Sequence, residues 1–137
     1  MADSVPPEFT DLTEAPVATL GTVGADGRPH LSGVWFLYDE GEFKVSLNVQ
    51  RQKTRNLRRN RAVSLFILDV QNTLRYLEVR GDAELAPDEG YQFADKVGAK
   101  YGGVDIRQMD GPGGERVVVT IRPARIVAVD LSRGESG

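Results

Sequence analysis

Hydrophobic and polar positions along this chain alternate mostly with the two-residue period of strands. Val17–Val23 is a β-rich run that ends at Gly24-Ala25-Asp26-Gly27, and His30–Tyr38 follows, which predicts a hairpin. Asp39-Glu40-Gly41 predicts a second tight turn, leading into a strand over Glu42–Leu47. Val63–Leu68 is apolar apart from Ser64 and predicts a strand covered on both faces. In Thr73–Leu85 the residues Leu77, Val79, Ala83 and Leu85 point one way and should fill a core. Tyr76, Glu78, Arg80 and Asp82 point the other way, toward solvent, a partner chain or a ligand. The last strand spans Val117–Ile121, breaks at Pro123 and resumes over Ile126–Val129.

Helical signals are fewer. Gln52–Asn60 holds Thr54 as its one β-branched residue and predicts a helix of about two turns. Pro87-Asp88 opens a second helix that runs to about Tyr101 and ends at Gly102-Gly103. Residues 1–8 read as a loose arm before a helical turn near Phe9–Leu12, and Met109–Glu115 as a flexible loop around Gly111-Pro112-Gly113-Gly114. Six short strands with few helices predict a mainly β fold, a small antiparallel barrel, in one domain spanning 1–137.

Composition narrows the chemistry. The chain has 137 residues, 40% of them hydrophobic, with no cysteine and one histidine, His30. Thiolate metal sites, disulfides and thiol nucleophiles are therefore excluded, and no metal site or Ser-His-Asp triad is expected. No apolar run approaches the ~18 residues of a membrane span and no signal-peptide pattern opens the chain, so a cytoplasmic protein without a membrane partner is expected. Neither G-x-G-x-x-G nor G-x-x-x-x-G-K-[ST] occurs.

The net charge of −3 is unevenly placed. Between Glu42 and Asp69 there is no carboxylate, while Lys44, Arg51, Lys53, Arg55, Arg58, Arg59 and Arg61 all fall there. Such a field focuses an anion on one place. The acidic remainder and the lack of interleaved aromatics argue against nucleic acid. A helix start offers unpaired N–H groups and the positive end of the helix dipole. Lys53 in that first turn adds a point charge, and Arg51 and Arg55 add bidentate forks. On the helix Lys53, Asn56 and Asn60 share a side, so that Leu57 can dock inward while polar groups face a phosphorylated small molecule.

The order of these segments is similar to that of a known family. Asp26-Gly27-Arg28-Pro29-His30 leads into Leu31-Ser32-Gly33-Val34-Trp35-Phe36, then Lys53-Thr54-Arg55-Asn56-Leu57, Val63-Ser64-Leu65 and Arg75-Tyr76-Leu77-Glu78-Val79-Arg80-Gly81. From about Phe9 to Leu131 the chain resembles the pyridoxamine 5'-phosphate oxidase-like, FMN-binding split-barrel superfamily. Within it the match is to the actinobacterial branch of oxidoreductases that use the deazaflavin coenzyme F420. The excess of arginine over lysine, 13 to 4, suits a GC-rich actinobacterial source.

The resemblance implies a six-stranded split β-barrel, a homodimer with cofactor at the interface, and a small-molecule substrate. It implies a cofactor phosphate at Lys53 with Thr54 and Arg51, bordered by the strand end Ser46–Asn48. Ser32, Val34 and Trp35 would meet the ring system, and Tyr76 would reach across from the partner chain. FMN needs only one phosphate site, whereas F420 carries a phosphodiester and a carboxylate-rich tail that Arg51, Arg55, Arg58 and Arg59 could pair. The expected activity is a reductase passing a hydride from the deazaflavin to a conjugated small organic substrate. Tyr76 and His30 are weak candidates for supplying a proton. The alternatives are an FMN-binding oxidoreductase and a non-catalytic carrier of F420 or a tetrapyrrole. Two departures stand out: Asn60-Arg61-Ala62 replaces the family's proline-containing helix exit, and Gly33 replaces a larger residue. The substrate-binding signature of true pyridoxamine phosphate oxidases is absent, so that activity is not expected.

Overall fold

In a computed structural model, described over residues 4–133, seven strands form one antiparallel sheet. They are β1 (Ala18–Val23), β2 (Pro29–Val34), β3 (Leu37–Asp39), β4 (Glu42–Asn48), β5 (Ala62–Leu68), β6 (Arg75–Pro87) and β7 (Arg116–Asp130). The helices are α1 (Gln52–Arg59), α2 (Gln92–Lys100) and α3 (Ile106–Asp110). The strand order is β2-β1-β5-β6-β7-β4-β3.

That order explains the curl. β2 and β3 lie at opposite edges of the sheet, yet only Trp35 and Phe36 separate them in the chain. Three peptide steps reach at most about 11 Å. The two edges are therefore drawn together and the sheet rolls into a split barrel. The same geometry corrects the expected strand count from six to seven. His30–Tyr38 was expected as one strand, but it breaks at Trp35-Phe36 so that β2 pairs with β1 and β3 with β4.

The predicted turns form the hairpins. Gly24-Ala25-Asp26-Gly27 joins β1 to β2, with Asp26 Oδ1 accepting from Arg28 N at 3.0 Å. Glu40 and Gly41, at φ 54° and 79°, give the left-handed pair that a two-residue hairpin between β3 and β4 requires. β6 and β7 pair along nearly their whole length, with a bulge between Arg80 and Gly81. A Cβ on Gly81 would stand 2.0 Å from the Arg122 carbonyl oxygen, so only glycine lets the strands approach there. This bulge carries Pro123 through an unbroken β7, where an interruption was expected.

Inward-facing Leu20, Val45, Leu65, Leu77, Val79 and Val119 are fully buried, and α1 contributes Leu57 to the same core. A 3-10 helix over Pro7–Glu14 adds Phe9 and Leu12. It begins inside the expected arm, where Val5 also packs on the core; residues 1–3 lie outside the described residues. Within the chain β5 is covered on one face, not two: Val63, Leu65 and Ile67 are buried, while Ser64, Phe66 and Leu68 are half-exposed. The second helical segment begins as a 3-10 turn, Glu89–Tyr91, before α2. Part of the expected loop Met109–Glu115 is α3, capped by Asp105 accepting from Gln108 N at 3.3 Å. Among the described residues, no helix is long and apolar enough to cross a membrane.

Candidate functional site

The site begins where β4 hands the chain to α1. Asn48 ends the strand, and the buried Thr54 hydroxyl donates to its carbonyl at 2.7 Å, which locks the first turn of α1 against the barrel. Leu57 on the same helix is fully buried. Lys53 therefore projects sideways from a fixed helix start, and its Nζ donates to Ser32 Oγ of β2 at 3.1 Å. Burial first, and then the charges of Arg51 and Arg116, push the Lys53 ammonium below its usual pKa. Neither Lys53 nor Arg51 has a carboxylate partner among the described residues. A half-buried cation with no counter-charge is a place for an anion.

Two clefts meet at these cations. One, of about 230 Å³, has a polar end at Ser46, Asn48, Arg51, Lys53 and Arg116 and an apolar end at Val34, Trp35, Leu47, Val97, Ile106 and Met109. The other, of about 180 Å³, lies between α1 and the β1–β2 hairpin, where Thr22, His30, Leu31, Ser32 and Gln52 join Arg51 and Lys53.

The apolar end is built on stacked rings. Trp35 lies flat on Tyr101, with centroids 4.3 Å apart and planes 7° from parallel. The Tyr101 hydroxyl accepts from Phe36 N at 3.2 Å, and burial raises its pKa. Lys100 Nζ donates to the Ala15 and Phe36 carbonyls at 3.0 and 2.9 Å and sits 4.0 Å over the Phe36 ring. Burial lowers the Lys100 ammonium. These contacts hold Trp35 where the chain crosses from β2 to β3.

The polar end has a third cation with a partner. Arg116 pairs with Asp110 through Nε–Oδ2 at 2.7 Å and Nη2–Oδ1 at 2.8 Å, and its Nη1 donates to the Ser46 carbonyl at 3.2 Å. Tyr91 donates to Asp110 at 2.8 Å. The Arg116 guanidinium, with Tyr91 and Asn48, outweighs burial and holds the Asp110 carboxyl down at about 2.

A family model described as pyridoxamine 5'-phosphate oxidase matches residues 5–130. The chain belongs to this family. A solved structure named F420 reductase is 34% identical, with 90% of this chain and 98% of that one covered at a TM-score of 0.79. A conserved hypothetical protein from Mycobacterium tuberculosis is 27% identical, with 99% and 91% covered and a TM-score of 0.77. HupZ from Group A Streptococcus, at 24% identity, 92% and 94% coverage and a TM-score of 0.70, shares the fold.

Against this pyridoxamine 5'-phosphate oxidase frame, the residues singled out from the sequence fall into three places. Val34, Trp35, Ser46, Asn48, Arg51 and Lys53 line the larger cleft; Ser32 and His30 line the smaller one. Thr54 and Asn56 are buried beneath the helix, with their polar groups used inside the protein. The Asn56 amide oxygen accepts from Gln52 and Arg59, so its nitrogen donates to Thr22 and to His30 Nδ1 at 3.1 Å. His30 then carries its proton on Nε2. Arg55, Arg58 and Tyr76 line neither cleft. Arg55 donates to the Gln50 carbonyl and to Gln52 Oε1, Arg58 is exposed, and Tyr76 packs on Phe66 on the outer face of the sheet, centroids 5.1 Å apart.

Arg116, Asp110, Tyr101 and the α3 wall were not foreseen. Arg116 opens β7 and pairs in register with Asn48, so the long-range ladder brings it to the cleft, and no local pattern marks it. The Gly111–Gly114 run concealed α3 by reading as a loop throughout.

Proposed function

We propose that this chain is an F420-dependent reductase acting on a conjugated small organic substrate, as a homodimer with two clefts at the interface. What carries the reading is one arrangement: the unpaired, half-buried Lys53 ammonium, with Arg51, at the start of α1, opening onto a flat aromatic wall at Trp35. Lys53 and the free N–H groups of α1 suit a phosphate group, and the stacked indole suits a planar ring system. The 34% identity with a structure named F420 reductase supports the deazaflavin over other ring systems. When bound, the reduced deazaflavin supplies the hydride that the substrate receives.

The chain's own residues bind, orient and exclude water. Lys53 and Ser32 fix the anionic end, Val34 and Trp35 set the plane of the ring, and the buried Val97 and Ile106 make the far side apolar. His30 borders the smaller cleft and is the side chain there that can relay a proton. Tyr76 would have to act from the partner subunit, since it lies on the outer sheet face. That face carries Leu31, 73% exposed, beside the half-exposed Phe66 and Leu68, and suits a second copy of the chain. Light scattering should give a dimer mass; a monomer at micromolar concentration would remove the interface from the reading.

FMN is the second reading, and one observation favours it. Arg55 is turned toward Gln50 and Gln52, which leaves Arg51 as the arginine beside Lys53, enough for one phosphate. Fluorescence titration with F420 and with FMN separates the two. Much tighter F420 binding, followed by turnover of a quinone or enone, supports the reductase. Tighter FMN binding moves the chemistry to a flavin, and tight F420 binding with no turnover of any acceptor points to a carrier.

A further inference from the structure

The polar groups of the larger cleft differ in what they have left to offer a ligand. Lys53 and Arg51 are donors only, as every ammonium and guanidinium is. The acceptors beside them are claimed from within the protein. The Asn48 carbonyl accepts from Arg51 N at 3.1 Å and from the Thr54 hydroxyl at 2.7 Å, and Asn48 Oδ1 accepts from Gln50 N at 2.9 Å. Asp110 in turn gives Oδ2 to Arg116 Nε and the Tyr91 hydroxyl, and Oδ1 to Arg116 Nη2. Arg116 Nη1 reaches Ser46, donating to its carbonyl at 3.2 Å and to its Oγ at 3.3 Å. That hydroxyl has taken a hydrogen bond and given none among the described residues, so its own hydrogen is turned away from the guanidinium. Ser46 is half-buried and lines the cleft.

We propose that Ser46 is a specificity-determining residue of this cleft, whose hydroxyl donates to a ligand oxygen that carries no proton. An oxygen of a sulfate, a carboxylate or a phosphodiester can take that hydrogen bond beside the charges of Lys53 and Arg51. A protonated oxygen in the same place sets two hydrogens against each other, and the Asn48 carbonyls and the Asp110 carboxylate are already bonded. The polar end therefore selects fully ionised oxyanions over those that keep a proton. Asp110 and Arg116 act behind Ser46, by fixing which way its hydroxyl points. The inference rests on the larger cleft being the ligand site, but its test needs neither F420 nor FMN.

Sulfate and inorganic phosphate are matched probes. Both are tetrahedral and similar in size, but near neutral pH sulfate carries no proton and phosphate keeps at least one. Titrating the cofactor-free protein with each in mildly alkaline buffer, where both are dianions, compares them at equal charge and constant ionic strength. Proton–nitrogen correlation NMR locates the ion through the Ser46 amide and the Arg116 Nε–H. Sulfate should bind about fivefold more tightly than phosphate, the range expected for one hydrogen bond made or lost. Ser46→Ala should bring the sulfate affinity down to that of phosphate and leave phosphate nearly level. Equal affinities in the parent protein overturn the proposal. So does a preference that survives in Ser46→Ala, which would assign it to the charges alone. An ion that moves the Thr22 and His30 signals but not Ser46 sits in the smaller cleft and overturns it too, as does no binding of either ion. Failure of F420 and FMN to bind a protein that shows the sulfate preference would undo the proposed reductase and leave the role of Ser46 standing.

Discussion

The two walls of the larger cleft are held in different ways. Val34, Ser46 and Leu47 belong to barrel strands, whose inward positions fill one continuous core and whose backbones sit in an antiparallel ladder. Val97, Ile106 and Met109 belong to the α2–α3 arm, whose own cluster is small: Tyr91, Phe93, Ala94, Val97 and Ile106. The arm packs on the barrel through Leu37, Val118 and the Trp35–Tyr101 stack, and directed polar bonds add to this, among them Lys100 to the Ala15 and Phe36 carbonyls and Asp110 to Arg116. Apolar packing is strong but undirected, whereas a few charged hydrogen bonds fix position with little buried area. The barrel wall therefore supplies stability, and the arm supplies adjustable shape on the ring side.

The largest expected effect tests the barrel half of that contrast. Leu65→Ala, at a fully buried central position, should cost about 3 kcal/mol of unfolding free energy, measured by urea denaturation. A loss under about 1 kcal/mol would mean that the barrel core is not the stabilising unit. The next tests the arm. The Asp110 carboxyl, near 2 in the folded protein against an ordinary 3.8, contributes stability that is fully present above about pH 4 and lost as pH falls through 2. That contribution is about 2 kcal/mol, read as the acid limb of a stability–pH curve. Asp11 and Asp69 are also held low by Arg75 and shape the same limb, so the difference between the parent and Asp110→Asn isolates the arm. Parallel acid limbs would show that the ion pair does not hold it.

The contrast also explains what could be read without a structure. Alternation in Thr73–Leu85 placed Leu77, Val79 and Ala83 in the core, and the turn residues placed the hairpins, because both signals are local. Lys53 and Arg51 were legible for the same reason, a helix start that carries its own charge, whereas the Ser46–Asn48 strand end came from the family resemblance. The split of His30–Tyr38 into β2 and β3 was not legible, since it depends on which distant strand offers a free edge. Arg116 was hidden by the same kind of cause. Its meeting with Asp110 and Ser46 follows from the β4–β7 register, and its sequence neighbours read only as the approach to a strand.

Lys53→Ala tests the seam between the two walls. It should weaken phosphate-bearing ligands, FMN or F420, by about 2 kcal/mol in a fluorescence titration, the usual loss for a charged hydrogen bond. Urea stability should change little, because burial already disfavours the ammonium there. An unchanged affinity would move the phosphate away from the start of α1.

The smallest effect is expected at Arg55, and it discriminates most finely. Its guanidinium is exposed and satisfied by Gln50 and Gln52, outside both clefts, so Arg55→Ala should change stability by no more than about 0.5 kcal/mol. FMN, ending in one phosphate at Lys53, would not reach it, and its affinity should stay level. F420 continues past its phosphodiester into a tail of carboxylates, and a tail leaving along the exposed flank of α1 would compete with the Gln50 and Gln52 contacts for this arginine. Exposed pairs of that kind contribute about 0.5–1 kcal/mol, and added salt should erase the difference. A salt-sensitive loss for F420 alone would place the tail on the barrel side of the molecule, away from the α2–α3 arm. Equal losses for both ligands would put Arg55 at the shared phosphate, which requires its side chain to leave Gln50 and swing into the cleft. No change for either would send the tail elsewhere and leave Arg51 as the arginine that the anion meets.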